Sequence, residues 1–73
     1  NCVCPGTIMT PSVAKRIRNS ENPEKLERDF ISRQPMGRLG TDSEIAEAIL
    51  FAASAEAGFM TGAAIHIDGG MTM

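Results

Sequence analysis

Three groups of residues in this 73-residue chain have types and spacings suited to chemistry. The first is the run Asn1-Cys2-Val3-Cys4-Pro5-Gly6-Thr7-Ile8-Met9-Thr10, where an extended segment breaks at Pro-Gly. Val3 between two cysteines suits a buried strand, and Pro5 cannot donate to a sheet ladder, so the strand is expected to stop at Cys4. Gly6 lacks the Cβ that would hold a ligand off the backbone. Residues Thr7 to Thr10 then offer free N–H and C=O groups at a strand's carboxyl end, where open α/β sheets bind ligands. A plain strand-to-helix turn, with Thr10 as N-cap and Pro11 at the first helical position, accounts for the same spacing, and residue types alone leave both readings open.

The second group is basic. Six of the seven Lys and Arg residues fall between Pro11 and Gln34, giving that segment +2 against −4 for the rest of the chain. Beside a ligand loop, such a segment would attract an anion, although a solvated helix face has the same composition. The third group is Cys2, Cys4 and His66. Cysteines at i and i+2 on a strand point the same way but sit too close along an extended backbone to suggest a structural disulfide. With the only histidine distant in sequence and no further C-x-C or C-x-x-C, no metal site is indicated. Buried free thiols are the expectation, which favours a reducing, cytoplasmic compartment. A lone histidine on a terminal strand is more often structural than a catalytic base.

The elements that must position these residues are legible in order. Thr10-Pro11 opens a helix running to about Asn19, and Asn22-Pro23 opens a second that carries Leu26, Phe30 and Ile31 on one side. With so narrow a stripe the pair should dock weakly and open easily, as a lid over 11–34. Thr41 and Glu44 have capping-box spacing, and Ile45 to Ala53 are apolar around most of the circumference, so 41–54 is expected to be a buried helix. Phe59 and Met60 read as anchors after Ser54. Ala63 to Ile67 alternate as a last strand over 63–68, closed by Asp68-Gly69-Gly70.

Composition bounds the remainder. The net charge is −2, aromatic residues are 4% of the chain and tryptophan and tyrosine are absent. A chain near 60 residues buries only ~60% of its unfolded surface, so a self-sufficient core would be marginal. The chain is expected to be the carboxyl-terminal portion of one larger domain. Without aromatic-basic interleaving, nucleic acid is not an expected partner, and no apolar run of membrane-spanning length occurs.

The pattern N-x-x-x-P-G-x-I-x-T, followed in order by Pro35-Met36-Gly37-Arg38-Leu39-Gly40, Glu44-Ile45-Ala46, Ser54, Thr61-Gly62 and Asp68-Gly69-Gly70, resembles the short-chain dehydrogenase/reductase family over the whole chain. The resemblance implies an α/β fold, a carboxyl-terminal fragment of a Rossmann-like doubly wound parallel sheet. It implies an NAD-dependent oxidoreductase, with NADP not excluded, that moves hydride between nicotinamide and a hydroxyl or keto group. Pro5, Gly6, Thr7, Ile8 and Thr10 would be the cofactor-binding residues. The family's catalytic Ser-Tyr-Lys set would lie outside these residues, leaving the fragment inactive by itself. Within the family, the chain is similar to the cytosolic 3-hydroxybutyrate dehydrogenase and 2-keto-3-deoxy sugar-acid dehydrogenase groups. That similarity implies a small anionic hydroxy or keto acid as substrate, with Arg16 and Arg33 facing its carboxylate. It also implies a homodimer or homotetramer built through faces near the carboxyl end. The competing expectation is a non-catalytic assembly module whose apolar helix and terminal strand only bind a partner.

Overall fold

The computed structural model describes residues 1–73. Its elements are strand β1 (Cys2–Pro5), helices α1 (Pro11–Arg18), α2 (Pro23–Ser32) and α3 (Asp42–Ala52), a 3₁₀ turn (Ala55–Ala57) and strand β2 (Ala64–Ile67). The two strands pair in parallel, with Cys2 opposite Ala64 and Pro5 opposite Ile67. A parallel pair needs a long crossover, and here all three helices lie within it.

β1 runs one residue further than expected, through Pro5. The reason is phase. Cys2 N–H donates to Ala63 O at 2.9 Å and Gly6 N–H to Ile67 O at 3.1 Å, so the even-numbered residues face β2 and Pro5, out of phase, loses no bond to that neighbour. Asn1 fastens the start of the pair: its amide donates to Met60 O at 3.1 Å and accepts from Ala63 N–H at 2.9 Å.

Helices α1 and α2 begin as their sequences dictate. Thr10 Oγ1 accepts from Val13 N–H at 3.2 Å, Asn22 Oδ1 accepts from Lys25 N–H at 3.2 Å, and a proline opens each helix. α1 and α2 pack together, contributing Ile17 and Phe30, two of the three buried apolar residues in the chain. The third is Ala57.

α3 begins with the expected capping box, Thr41 and Glu44 each accepting from the other's backbone N–H. It lies against both strands, yet none of its residues is buried, and Leu50 is 71% exposed beside exposed Ile49 and Phe51. A two-stranded sheet is wide enough to cover only one stripe of a helix that is apolar on several sides. Phe59, expected as an anchor, is fully exposed; the 3₁₀ turn buries Ala57 instead, and Met60 is half-buried. The cysteines also depart from the expected burial. Cys2 is exposed and Cys4 half-buried, with their thiols 3.7 Å apart on the open face of β1. The hydrogen bond to Cys2, with some burial, pushes the Cys4 thiol above its usual value.

Candidate active site

The loop after β1 is held on three sides, and each hold comes from a different element. Gly6 is pressed against the end of β2: a Cβ there would stand 2.8 Å from Asp68 Cα, so the absent side chain makes room for Asp68. Thr7 N–H donates to Gln34 Oε1 at 3.1 Å. Thr7 O accepts from Gly40 N–H at 3.0 Å, and Met9 N–H donates to Gly40 O at 2.9 Å, an isolated parallel bridge centred on Ile8. Gly40 is also a close approach, because a Cβ there would meet Ile8 Cδ1 at 2.7 Å.

These holds leave the Ile8 peptide groups free. No hydrogen bond within the chain uses the Ile8 N–H or C=O, although the groups on both sides are engaged. A donor and an acceptor side by side on a pinned backbone match the carbonyl and one N–H of a carboxamide. Thr10 can assist without leaving its helix. Its oxygen accepts from Val13 N–H, and the hydroxyl proton remains available to donate. The residues present therefore fit a nicotinamide carboxamide.

Under the loop lies a cavity of about 360 Å³ lined by the loop from Gly6 to Ile8, by Gln34, Met36, Arg38 and Gly40, by Glu44 and Ile45 at the start of α3, and by the end of β2 from His66 to Gly70. Three of the five expected cofactor residues are thus brought together, while Pro5 and Thr10 flank the cavity without lining it. At the end of β2, Asp68 Oδ1 accepts from Gly70 N–H at 3.0 Å and Oδ2 from the Thr72 hydroxyl at 2.6 Å. The Thr72 bond, followed by backbone N–H donors, holds the carboxyl below its usual range despite burial. Gly69 and Gly70 take φ of +59° and +92°, which lets the chain fold back over that carboxylate. His66 stands 3.9 Å from Asp68 Oδ2, beyond hydrogen-bonding reach, and half its side chain is exposed.

At the mouth, Arg38 grips Glu44 through two bonds of 2.9 Å, and Glu44 Oε1 also accepts from Thr41 N–H at 2.9 Å. The Arg38 guanidinium and then the Thr41 donors lower the Glu44 carboxyl to about 2. Arg38 is thereby neutralised and is not a free anion site.

Arg16 and Arg33 are outside the cavity wall but are brought to one place. Their guanidinium carbons lie 5.7 and 4.9 Å from the centre of the buried Phe30 ring. A guanidinium held against a ring face keeps its in-plane N–H edge free for a carboxylate.

Gln34 and Asp68 are buried polar residues of the site that residue types did not single out. Gln34 follows a narrow apolar stripe and precedes Pro35, which marks a helix end and nothing more. Asp68 before two glycines is a turn signal. No group of three or more His, Cys, Asp or Glu residues gathers anywhere in the chain, and no helix is long and apolar enough to cross a membrane.

A family model described as Enoyl-(Acyl carrier protein) reductase matches residues 1–72. A Dehydrogenase/reductase SDR family member 6 from Aquarana catesbeiana is 45% identical over 73 residues, all of this chain and 30% of that protein. The 2-keto-3-deoxy-L-fuconate dehydrogenase of Xanthomonas campestris is 46% identical over 71 residues, 96% of this chain and 24% of that one. Among solved structures, a C-terminal deletion mutant of the Thermoplasma acidophilum aldohexose dehydrogenase superposes with a TM-score of 0.84 at 39% identity, covering 96% of this chain and 33% of that one. The chain thus spans less than a third of the curated relatives it matches.

Proposed function

The chain belongs to the short-chain dehydrogenase/reductase family of oxidoreductases, and on that premise we propose that residues 1–10 hold the nicotinamide end of NAD, or of NADP, in a larger enzyme acting on a small hydroxy or keto acid. When bound, the dinucleotide supplies or accepts hydride at its nicotinamide ring. Pro5 and Gly6 lie along the ring, the Ile8 N–H and C=O pair with its carboxamide, and the Thr10 hydroxyl adds a donor. Thr7 contributes indirectly, because its own N–H and C=O pin the loop. Fixing the carboxamide fixes which ring face meets the substrate, an orientation effect of the kind that makes transfer effectively unimolecular. The observation that carries this reading is the unpaired Ile8 peptide between two engaged neighbours.

Substrate class follows from the lid. Arg16 and Arg33, converging on Phe30, present two guanidinium edges to a carboxylate. The Xanthomonas relative, named for a keto acid, supports that chemistry. The apolar face of α3 around Leu50 supports contacts with a second copy in a homodimer or homotetramer.

The test uses the full-length protein, following reduced nicotinamide by its absorbance with hydroxy acids and their uncharged alcohol analogues. A charge-assisted carboxylate contact is worth ~1.5–3 kcal/mol, on the order of ten- to a hundredfold in turnover efficiency. Arg16→Met and Arg33→Met should each lose that factor on the acid and far less on the alcohol. Equal losses on both would remove the anionic substrate, and a protein that neither binds nor reduces a nicotinamide dinucleotide would favour the assembly module.

A further inference from the structure

Gln34 is the most buried residue in the chain, 3% exposed, although its side chain carries two donors and an acceptor. Its carboxamide joins two elements. Oε1 accepts from Thr7 N–H at 3.1 Å, while Nε2 donates to Phe30 O at 2.7 Å and reaches Ile31 O at 3.5 Å. The amide can sit only one way round, because a helix carbonyl can only accept and a backbone N–H can only donate. The stem is confined too: a Cβ on Gly69 would meet Gln34 Cβ and Cγ at 3.1 and 3.2 Å.

Each partner of that amide sits beside a group with a proposed role. Thr7 precedes Ile8, and Phe30 carries the ring on which Arg16 and Arg33 rest. A lid that lifts at α2 must therefore break one of the Gln34 amide's bonds, to Phe30 O or to Thr7 N–H, or take the loop with it. Resting on the reading of residues 1–10 as the nicotinamide site, we propose that Gln34 is a positioning residue that ties the last turn of α2 to the Thr7–Ile8 loop, so that lid position and nicotinamide hold are set together. Neither partner alone could do this: the helix end needs a donor, the loop needs an acceptor, and a primary amide supplies both from two separate atoms without a charge.

The experiment uses full-length protein without ligand for one readout and with ligand for the other. Gln34→Met keeps the length and removes both polar groups. Gln34→Glu keeps an acceptor for Thr7 but turns a carboxylate toward the Phe30 and Ile31 carbonyls. By amide hydrogen exchange, Gln34→Met should quicken Thr7 and the last turn of α2 together, by about tenfold, the size of one buried hydrogen bond. Gln34→Glu should quicken α2 while Thr7 stays protected, and it serves as the arm to read if Gln34→Met does not fold. In binding, Gln34→Met should weaken NAD(H) by about tenfold and leave ADP-ribose, which lacks the nicotinamide, unchanged. Unchanged exchange at Thr7, or equal weakening of both ligands, overturns the proposal. Coupled exchange in a protein whose wild type binds no dinucleotide would keep the tie and discard the nicotinamide reading.

Discussion

Substituting Gly6 by alanine tests the contact on which the geometry of the loop depends. The added Cβ would lie 2.8 Å from Asp68 Cα and 3.0 Å from both Asp68 Cβ and Asp68 O. Carbon atoms pack at about 3.5–4.0 Å, so the loop and the end of β2 must part by roughly 0.7 Å or more. The neighbour at fault is largely backbone and cannot swing aside. Parting them stretches the Gly6 N–H bond to Ile67 O, already 3.1 Å, past useful length. Overpacking costs about 1–3 kcal/mol and the lost bond about 1 more, so Gly6→Ala should destabilise the full-length protein by roughly 2–4 kcal/mol. Gly37 is the control with the opposite cause: its φ is +80°, but nothing lies within 4 Å of an added Cβ. Gly37→Ala should lose only the left-handed backbone preference, about 1–2 kcal/mol, and Gly37→Asn should recover much of it. Gly6→Asn should recover nothing, since its difficulty is space. The assay is equilibrium denaturation of the four variants beside wild type. A Gly6→Ala protein that unfolds at the wild-type denaturant concentration would refute the close approach of the two strand ends.

Three further outcomes are expected. Thr10→Ala should cost about 0.5–2 kcal/mol of stability through the lost cap and also weaken dinucleotide binding, whereas Thr10→Ser should preserve both; a folded Thr10→Ala enzyme with unchanged binding would leave Thr10 as a cap alone. Glu44, held at about 2 by Arg38 and then Thr41, has a depressed carboxyl, so the stability it contributes is fully present above its ordinary value of 4.5 and is lost as pH falls toward 2. The stability difference between wild type and Glu44→Gln should therefore be flat above pH 4.5 and close below it, more weakly at high salt because the pair is exposed; a difference independent of pH would dismiss the ion pair. The isolated 73-residue chain should show no cooperative thermal transition, since three apolar residues are buried and its radius of gyration is 14.4 Å where about 11 Å is usual for this length. A sharp transition from a soluble monomer would contradict this.

Local chemistry in the sequence was sufficient for the helix starts. Thr10-Pro11, Asn22-Pro23 and Thr41-x-x-Glu44 each place a short oxygen-bearing side chain where the first turn has unpaired N–H groups, and all three caps form as read. The short last strand followed likewise from period and turn residues, and the ordered motifs carried the family and with it the α/β class. Burial was another matter. The apolar composition of α3 and the type of Phe59 say that these surfaces prefer cover, but exposure depends on what lies opposite, and only the two-stranded sheet shows how little of α3 is covered. The same holds for the site. Sequence spacing could nominate Gly6 but not its neighbour Asp68, 62 positions away, nor could it pair Thr7 with Gln34 across α1 and α2. Contacts between distant residues are set by how parallel strands and crossover helices close on one another. The cap of a helix is decided within four residues of chain, whereas the unpaired Ile8 peptide exists only because Gln34 and Gly40 arrive from elsewhere to engage the groups on either side of it.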